Sequence, residues 1–392
     1  MTLDEIVRNE AVRRREFPVA ETRAYFANAG VSPLPRAAAD ALAEFGRLGS
    51  RDCQENDRAW AVDRRARELT ARLIGAAPEE ISLIGPTSLG LNIVAQGLDW
   101  RPGDEVVYYG EDYPANVYPW AALSPRGVRP VALAPDQPGV ITWDVVEAAL
   151  TARTRLVALA SCHFMSGYRI DVDDIGRRLG ERGVLFCLDG IQTLGAFPLS
   201  VKHVDFMSAD SHKWMLGPIG AGVFFVKRER QDALPPPLLG SWNVQSPDYV
   251  AQDVLRYHTG GRRYETGALN LPGIFGMAAS LELLKGFGID AIAARLLDLR
   301  RYLLERVRPL GFRLYLEEWD LSPAASDAHR TAIISLRHPK HDMDAVYERL
   351  LAERIVVSLR RNRRGEAYLR FSPHCYNKEE ELDRAVAVLA RG

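Results

Sequence analysis

Ser-Ala-Asp-Ser-His-Lys-Trp-Met-Leu-Gly-Pro-Ile-Gly-Ala-Gly, residues 208–222, begins where one mostly apolar run ends and stops where another begins. The flanking runs, 204–208 and 222–226, read as strands joined by a glycine-rich turn. Working outward, runs of the same kind recur at 184–188, 156–161, 128–133, 105–109 and 81–84. Strands apolar at successive positions are covered on both faces, as in a parallel sheet. Between them, 144–150 and 173–182 read as helices. This alternation predicts an α/β protein whose large domain holds a seven-stranded, mostly parallel sheet.

The stretch from about 233 to 270 is rich in Pro, Gly and polar residues and has little periodicity. It is too long for a simple connection, so it is expected to be functional or to cover a partner subunit. Beyond it the pattern is helix 274–287, strands 312–316 and 333–336, helix 343–353, strands 356–359 and 369–372, and helix 378–390. That sequence of elements predicts a small α+β C-terminal domain. The expected division is 23–275 for the large domain and 276–392 for the small one, with 1–22 packing near the latter.

The 392 residues are 47% hydrophobic and 26% charged, which suits a soluble protein with a sizeable core. A net charge of −1 gives no electrostatic reason to expect nucleic acid or a membrane surface. The first residues lack the apolar core of a signal peptide, and no apolar run is long enough to span a bilayer. Cys53, Cys162, Cys187 and Cys375 are scattered without a C-x-x-C pair. Neither a disulfide framework nor a metal site is expected, and the cytoplasm is the default location.

Chemistry gathers around Lys213. A lone lysine is ordinarily a solvated charge, but this one lies between His212 and Trp214. The glycines of 217–222 let the backbone pass close to a ligand. They precede a strand rather than open a helix, which disfavours a dinucleotide-binding dehydrogenase. Asp189, 24 residues earlier, ends an apolar strand, and ligands of open α/β sheets sit at the carboxyl ends of strands. Its alternative role is a helix cap. A lysine amine can form a Schiff base with an aldehyde cofactor, and a carboxylate can keep that cofactor's pyridine nitrogen protonated. The pair points to pyridoxal 5'-phosphate (PLP). Gln192 is placed to reach the cofactor's phenolic oxygen. Thr87 and Ser88 follow the strand 81–84 and open a helix, a suitable phosphate site or else a plain cap. Tyr113 is the candidate to stack on the ring, against a core or interface role. Arg370 is the candidate to grip a substrate carboxylate bidentately, against a surface charge.

Together these motifs resemble the class V aminotransferases, PLP enzymes of fold type I that include cysteine desulfurases, C–S lyases and isopenicillin-N-epimerase-like proteins. The resemblance runs from Tyr25 to Asn377. It implies that Lys213 is the Schiff-base lysine, Asp189 the pyridine-nitrogen partner and Gln192 the phenolic-oxygen contact. It implies phosphate-side roles for Thr87, Ser88, Ser211 and His212, stacking by Tyr113, and a carboxylate grip by Arg370. Asn28 and Ala29 resemble the lip of the substrate pocket. Residues 265–270, with Thr266, resemble a loop that reaches a neighbouring subunit's phosphate, so a homodimer with shared active sites is expected. Ala268 stands where relatives often have threonine.

One departure bears on the reaction. Desulfurases carry a mobile cysteine upstream of the carboxylate arginine, and 357–368 here contains none. That disfavours a desulfurase that forms a protein persulfide. Arg360, Arg361, Arg363 and Arg364 read as a solvated hairpin, with selection of an acidic or phosphorylated substrate as the alternative. The expected activity is PLP chemistry at the α-carbon of an amino acid or amine. Amino-group transfer or related deamination is placed first, with C–S lyase-type β-elimination and epimerisation as alternatives. A non-catalytic ligand-binding protein that keeps the fold is the alternative of another class.

Overall fold

The computed structural model describes residues 1–391. Its centre is a seven-stranded sheet in the spatial order Ile81–Ile84, Gly222–Val226, Phe206–Asp210, Leu185–Asp189, Thr154–Ala160, Glu105–Tyr109, Arg129–Leu133. Gly222–Val226 runs antiparallel to both its neighbours, and the other strands are mutually parallel. Successive side chains feed opposite faces. Val106, Leu156, Ala158, Cys187, Phe206 and Phe224 join one apolar cluster. Val107, Val157, Leu159, Phe186, Leu188, Met207 and Val223 join another. Apolar runs in the sequence thus become strands covered on both sides, as expected. The chain is an α/β protein, as its sequence predicts.

The strands Ile81–Ile84, Leu185–Asp189 and Phe206–Asp210 finish at the same edge of the sheet. Ile84 and Asp210 both lie in register with Gly222. A Cβ at Gly222 would run into the Gly85 carbonyl oxygen and reach 3.0 Å from that of Ala209, so only glycine lets Gly222–Val226 close between the ends of Ile81–Ile84 and Phe206–Asp210. That closure brings the turn after Asp210, with Lys213, beside the start of the helix Thr87–Gly97.

A second, antiparallel sheet has the order Ser358–Arg361, Ala367–Phe371, Ile334–Arg337, Arg313–Leu314. It covers its own apolar cluster with the helices Met343–Ala352 and Glu379–Leu389. The N-terminal helices pack through Phe17, which stacks on Tyr376 at 4.3 Å, and Arg13, which pairs with Glu381. Three long helices go beyond the sequence expectation: Arg36–Gly49, Asp57–Ile74 and Ile289–Val307. The first two cradle Leu271–Phe287. Residues 233–270 hold short turns and an isolated bridge between Val244 and Tyr257, in keeping with their composition. They are pinned by Glu265, which accepts the Leu83 N–H (2.7 Å) and pairs with Arg67. Among the described residues no helix is long and apolar enough to cross a membrane.

Candidate active site

A cavity of about 490 Å³ opens where the carboxyl edge of the large sheet meets the small one. Of the residues singled out in the sequence, Ala29, Thr87, Ser88, Tyr113, Asp189, Gln192, His212, Lys213 and Arg370 line it.

Lys213 is buried. Burial pulls its ammonium down to about 8; Asp189 opposes this, while Arg370 and Arg360 add repulsion. Its amine lies 5.3 Å from the centre of the Tyr113 ring. The main chain is held from beneath by Ser32, whose hydroxyl donates to the Lys213 carbonyl (2.7 Å). Burial pushes Asp189 up to about 6, against the Ile191 amide and the Lys213 charge. One of its oxygens accepts the Ile191 N–H at 3.0 Å, so it caps the following turn while it faces the cavity.

The helix Thr87–Gly97 has no side-chain cap. The Thr87 hydroxyl oxygen accepts the Asp210 N–H (2.9 Å), which leaves its own proton to donate. His212 Nδ1 sits 2.9 Å from the Asp210 carboxylate. An uncapped helix start, two hydroxyls and an imidazole make a donor set that suits a phosphate. Gln192 donates to the Ala29 carbonyl (3.1 Å) and accepts from Trp214 Nε1 (3.0 Å), with one amide hydrogen left over.

Arg370 illustrates how a strand aims a charge. Leu369 and Phe371 point into the small apolar cluster, so the residue between them faces the other way. Its register partners on both sides are small, Ser335 and Ser358. Nη1 donates to the Phe164 carbonyl at 2.9 Å. Nε and Nη2 are buried without a partner, a cost that a bound carboxylate would remove. Burial first, then Arg360, bring its pKa down to about 9, which still leaves it charged at neutral pH. PLP therefore fits this site: Lys213 would hold its aldehyde, Asp189 face its nitrogen, the Thr87–Ser88 helix start take its phosphate and Tyr113 cover its face.

Three expected residues do not line the cavity. Ser211 donates to the Pro218 carbonyl (2.9 Å), because its turn folds the hydroxyl back on itself. Asn28 is buried, donates to the Ser372 carbonyl (2.9 Å) and accepts from the Tyr376 hydroxyl (3.3 Å), which makes it a strut under the lip. Thr266 lies outside this chain's cavity, with its carbonyl facing the Trp242 N–H (3.5 Å).

Other contributors carry no motif in the sequence. Asp112 accepts the Tyr113 N–H (2.7 Å) and holds Asn116, which in turn accepts from Trp120, and so fixes the loop that carries Tyr113. Gly30 leaves room by Arg370: a Cβ there would sit 3.6 Å from Nη2 and 3.1 Å from the Ala27 carbonyl. The arginines read as a solvated hairpin divide. Arg361 pairs with Asp344, and Arg363 donates to the Gly110 carbonyl. Arg360 instead lines the cavity. Its alternation with core residues Val357 and Leu359 is the sequence signal for this.

The class V aminotransferase family model covers residues 24–385. This chain belongs to that family. Class V membership makes it a PLP-dependent enzyme. A probable cysteine desulfurase of Methanothermobacter thermautotrophicus is 31% identical over 73% of this chain and 72% of its own. An uncharacterized aminotransferase, YcbU, of Bacillus subtilis is 26% identical over 96% of each. Among solved structures, the apo cysteine desulfurase of Thermococcus onnurineus NA1 superposes with a TM-score of 0.88 at 24% identity, over 98% of this chain and 97% of that one. The cystine C–S lyase C-DES, in complex with cysteine persulfide, gives 0.83 at 22% identity, over 95% and 99%.

Proposed function

We propose that this class V enzyme cleaves a carbon–sulfur bond at the β-carbon of an α-amino acid, without a protein thiol as sulfur acceptor. The reading moves C–S cleavage ahead of the amino-group transfer expected first from sequence, because the relatives in the family are so often cysteine desulfurases. The observation that carries it is the composition of the cavity wall. It combines a buried lysine, a buried carboxylate and a half-partnered arginine, and no cysteine is among its residues. Cys162, Cys187 and Cys375 are buried, and burial raises their thiols far above neutrality. The exposed Cys53 is not on the wall.

When bound, PLP supplies an electron sink for negative charge at the substrate α-carbon. The chain supplies the rest. Arg370 grips the α-carboxylate with its free Nε and Nη2. Lys213, with an ammonium pKa near 8, is able to take the α-proton as a neutral amine and return one to the leaving sulfur. The free oxygen of Asp189 would keep a proton on the ring nitrogen. Tyr113 and Phe164 shield one side of the cavity, meeting edge to face at 5.6 Å. The balanced outcome for an S-substituted cysteine and water is a thiol, pyruvate and ammonia.

The test supplies purified holoenzyme with cysteine and S-substituted cysteines and measures the released sulfur product (sulfide from cysteine, a thiol from the others), pyruvate and ammonia. Equal amounts of all three are expected. Ammonia-free conversion of a keto acid to its amino acid would replace this reading with amino-group transfer. The full-length match to an aminotransferase-named relative favours that second reading.

A further inference from the structure

We infer that Arg360 forms a second anion site in the same cavity and selects α-amino acids whose side chain ends in a further acid group. The inference rests on the reading above only in taking the cavity as the place where the amino acid binds.

Strand parity puts Arg360 there. In the strand Ser358–Arg361, Leu359 packs on the small apolar cluster, so Ser358 and Arg360 face the opposite side. Their register partners are Arg370 and Tyr368, which lie on that same face. Both Ser358 and Arg360 line the cavity.

Arg360 also lacks a counter-charge. Its neighbours are satisfied: Arg361 pairs with Asp344, and Arg337 with Glu366. No carboxylate is paired with Arg360 among the described residues, and its Nε is buried without an acceptor. A buried donor left open costs stability until a ligand fills it.

The charges on the wall make the same point. Lys213, Arg360 and Arg370 face a single carboxylate, Asp189. Arg360 is close enough to depress the pKa of both Lys213 and Arg370. The cofactor's phosphate has the helix start and His212. The substrate α-carboxylate has the free fork of Arg370, which one carboxylate fills. Arg360 is the cation without an assigned anion, and a second acid group on the substrate would supply it.

Matched acid and amide pairs test this without a change of size: aspartate against asparagine, and S-carboxymethylcysteine against its amide. The native holoenzyme should favour the acid in kcat/KM. Arg360→Gln should cut the acid-to-amide ratio about 10- to 100-fold, mainly through KM, as loss of a charge-assisted bond does. Arg360→Lys should restore part of it. Calorimetric titration of the holoenzyme adds a readout free of turnover. Succinate should bind more tightly than propionate, and Arg360→Gln should erase the difference. A native enzyme indifferent to acid or amide overturns the proposal. So does an unchanged ratio in Arg360→Gln, which would place the guanidinium on the α-carboxylate or in the fold alone. The acid preference does not depend on which bond breaks, so amino-group transfer in place of C–S cleavage leaves it readable. If no amino acid is turned over, the functional reading fails, and the succinate titration decides Arg360 by itself.

Discussion

Lys213 shows how burial shifts the proton equilibrium of a common residue, and stability must register the same effect. Its ammonium falls from 10.5 to about 8 because water is excluded. Below pH 8 the lysine is charged in folded and unfolded chains alike, and folding bears the full desolvation cost. Between pH 8 and 10.5 the unfolded chain holds a proton that the folded chain has lost, so stability rises with pH by about 3 kcal/mol in all. Asp189 acts in the opposite sense at lower pH. Raised from 3.8 to about 6, it contributes stability that is complete below pH 3.8 and gone above about 6. We expect denaturant melts of the cofactor-free protein to show the alkaline rise, and Lys213→Met to flatten it; parallel curves would place the amine in solvent. Arg370 makes a separate prediction. Arg370→Ala removes a bidentate grip worth roughly 10²-fold in binding, so KM for amino acids should rise by that factor and KM for the matching amines hardly at all. An equal rise for both would rule out the grip. Lys213, Asp189 and Arg370 are legible because each sits in a motif whose residue types follow from the chemistry. Asp112 and Ser32 are not, since they act through main-chain atoms that only folding brings near.

At the scale of elements, the sheet is readable and the helices less so. A strand covered on both faces needs a solid apolar run, which stands out against any background. The helices Asp57–Ile74 and Ile289–Val307 bury one stripe and carry Arg, Asp and Glu around the rest, so their signal is diluted. The turn 211–221 shows itself through its glycines, but which glycine matters follows from contacts. Gly222 abuts the Gly85 carbonyl. Gly222→Ala should therefore destabilise by about 1–3 kcal/mol and loosen cofactor retention, because it parts the strand ends that hold Thr87 and Lys213 together. Gly46 is the contrast. It lies in the helix Arg36–Gly49 with open space where a methyl would sit, and Gly46→Ala should stabilise by about 0.5–1 kcal/mol. Unfolding midpoints that shift the same way for both would break the argument from close approach. The hairpin shows the opposite failure of reading: four arginines look alike as a run, yet the two-residue period of the strand sends Arg360 inward and Arg361 outward.

Across the whole molecule, one segment gathers apolar side chains at the surface. Half of the exposed large apolar side chains among the described residues lie within 238–255: Leu238, Leu239, Tyr249, Val250, Val254 and Leu255. The segment has little regular structure of its own, yet its base is fixed by the bonds of Glu265 to Leu83 and Arg67 and by Tyr264 donating to the Leu234 carbonyl at 3.0 Å. A fixed loop that presents apolar side chains to water costs free energy that a second copy would recover. The loop ends beside Thr266, which stays off the cavity wall of its own chain. The expected solution species is a homodimer of twice the 43.7 kDa chain mass. Leu239→Asp combined with Leu255→Asp should yield monomers that stay folded, since neither side chain is part of a core. If Thr266 serves the partner's cavity, these monomers should also hold PLP more weakly than the native protein at equal concentration. Sedimentation read together with cofactor absorbance separates the cases. A native protein that sediments as a monomer at micromolar concentration removes the dimer, whereas monomeric variants with undiminished PLP affinity keep the dimer and remove only the shared site.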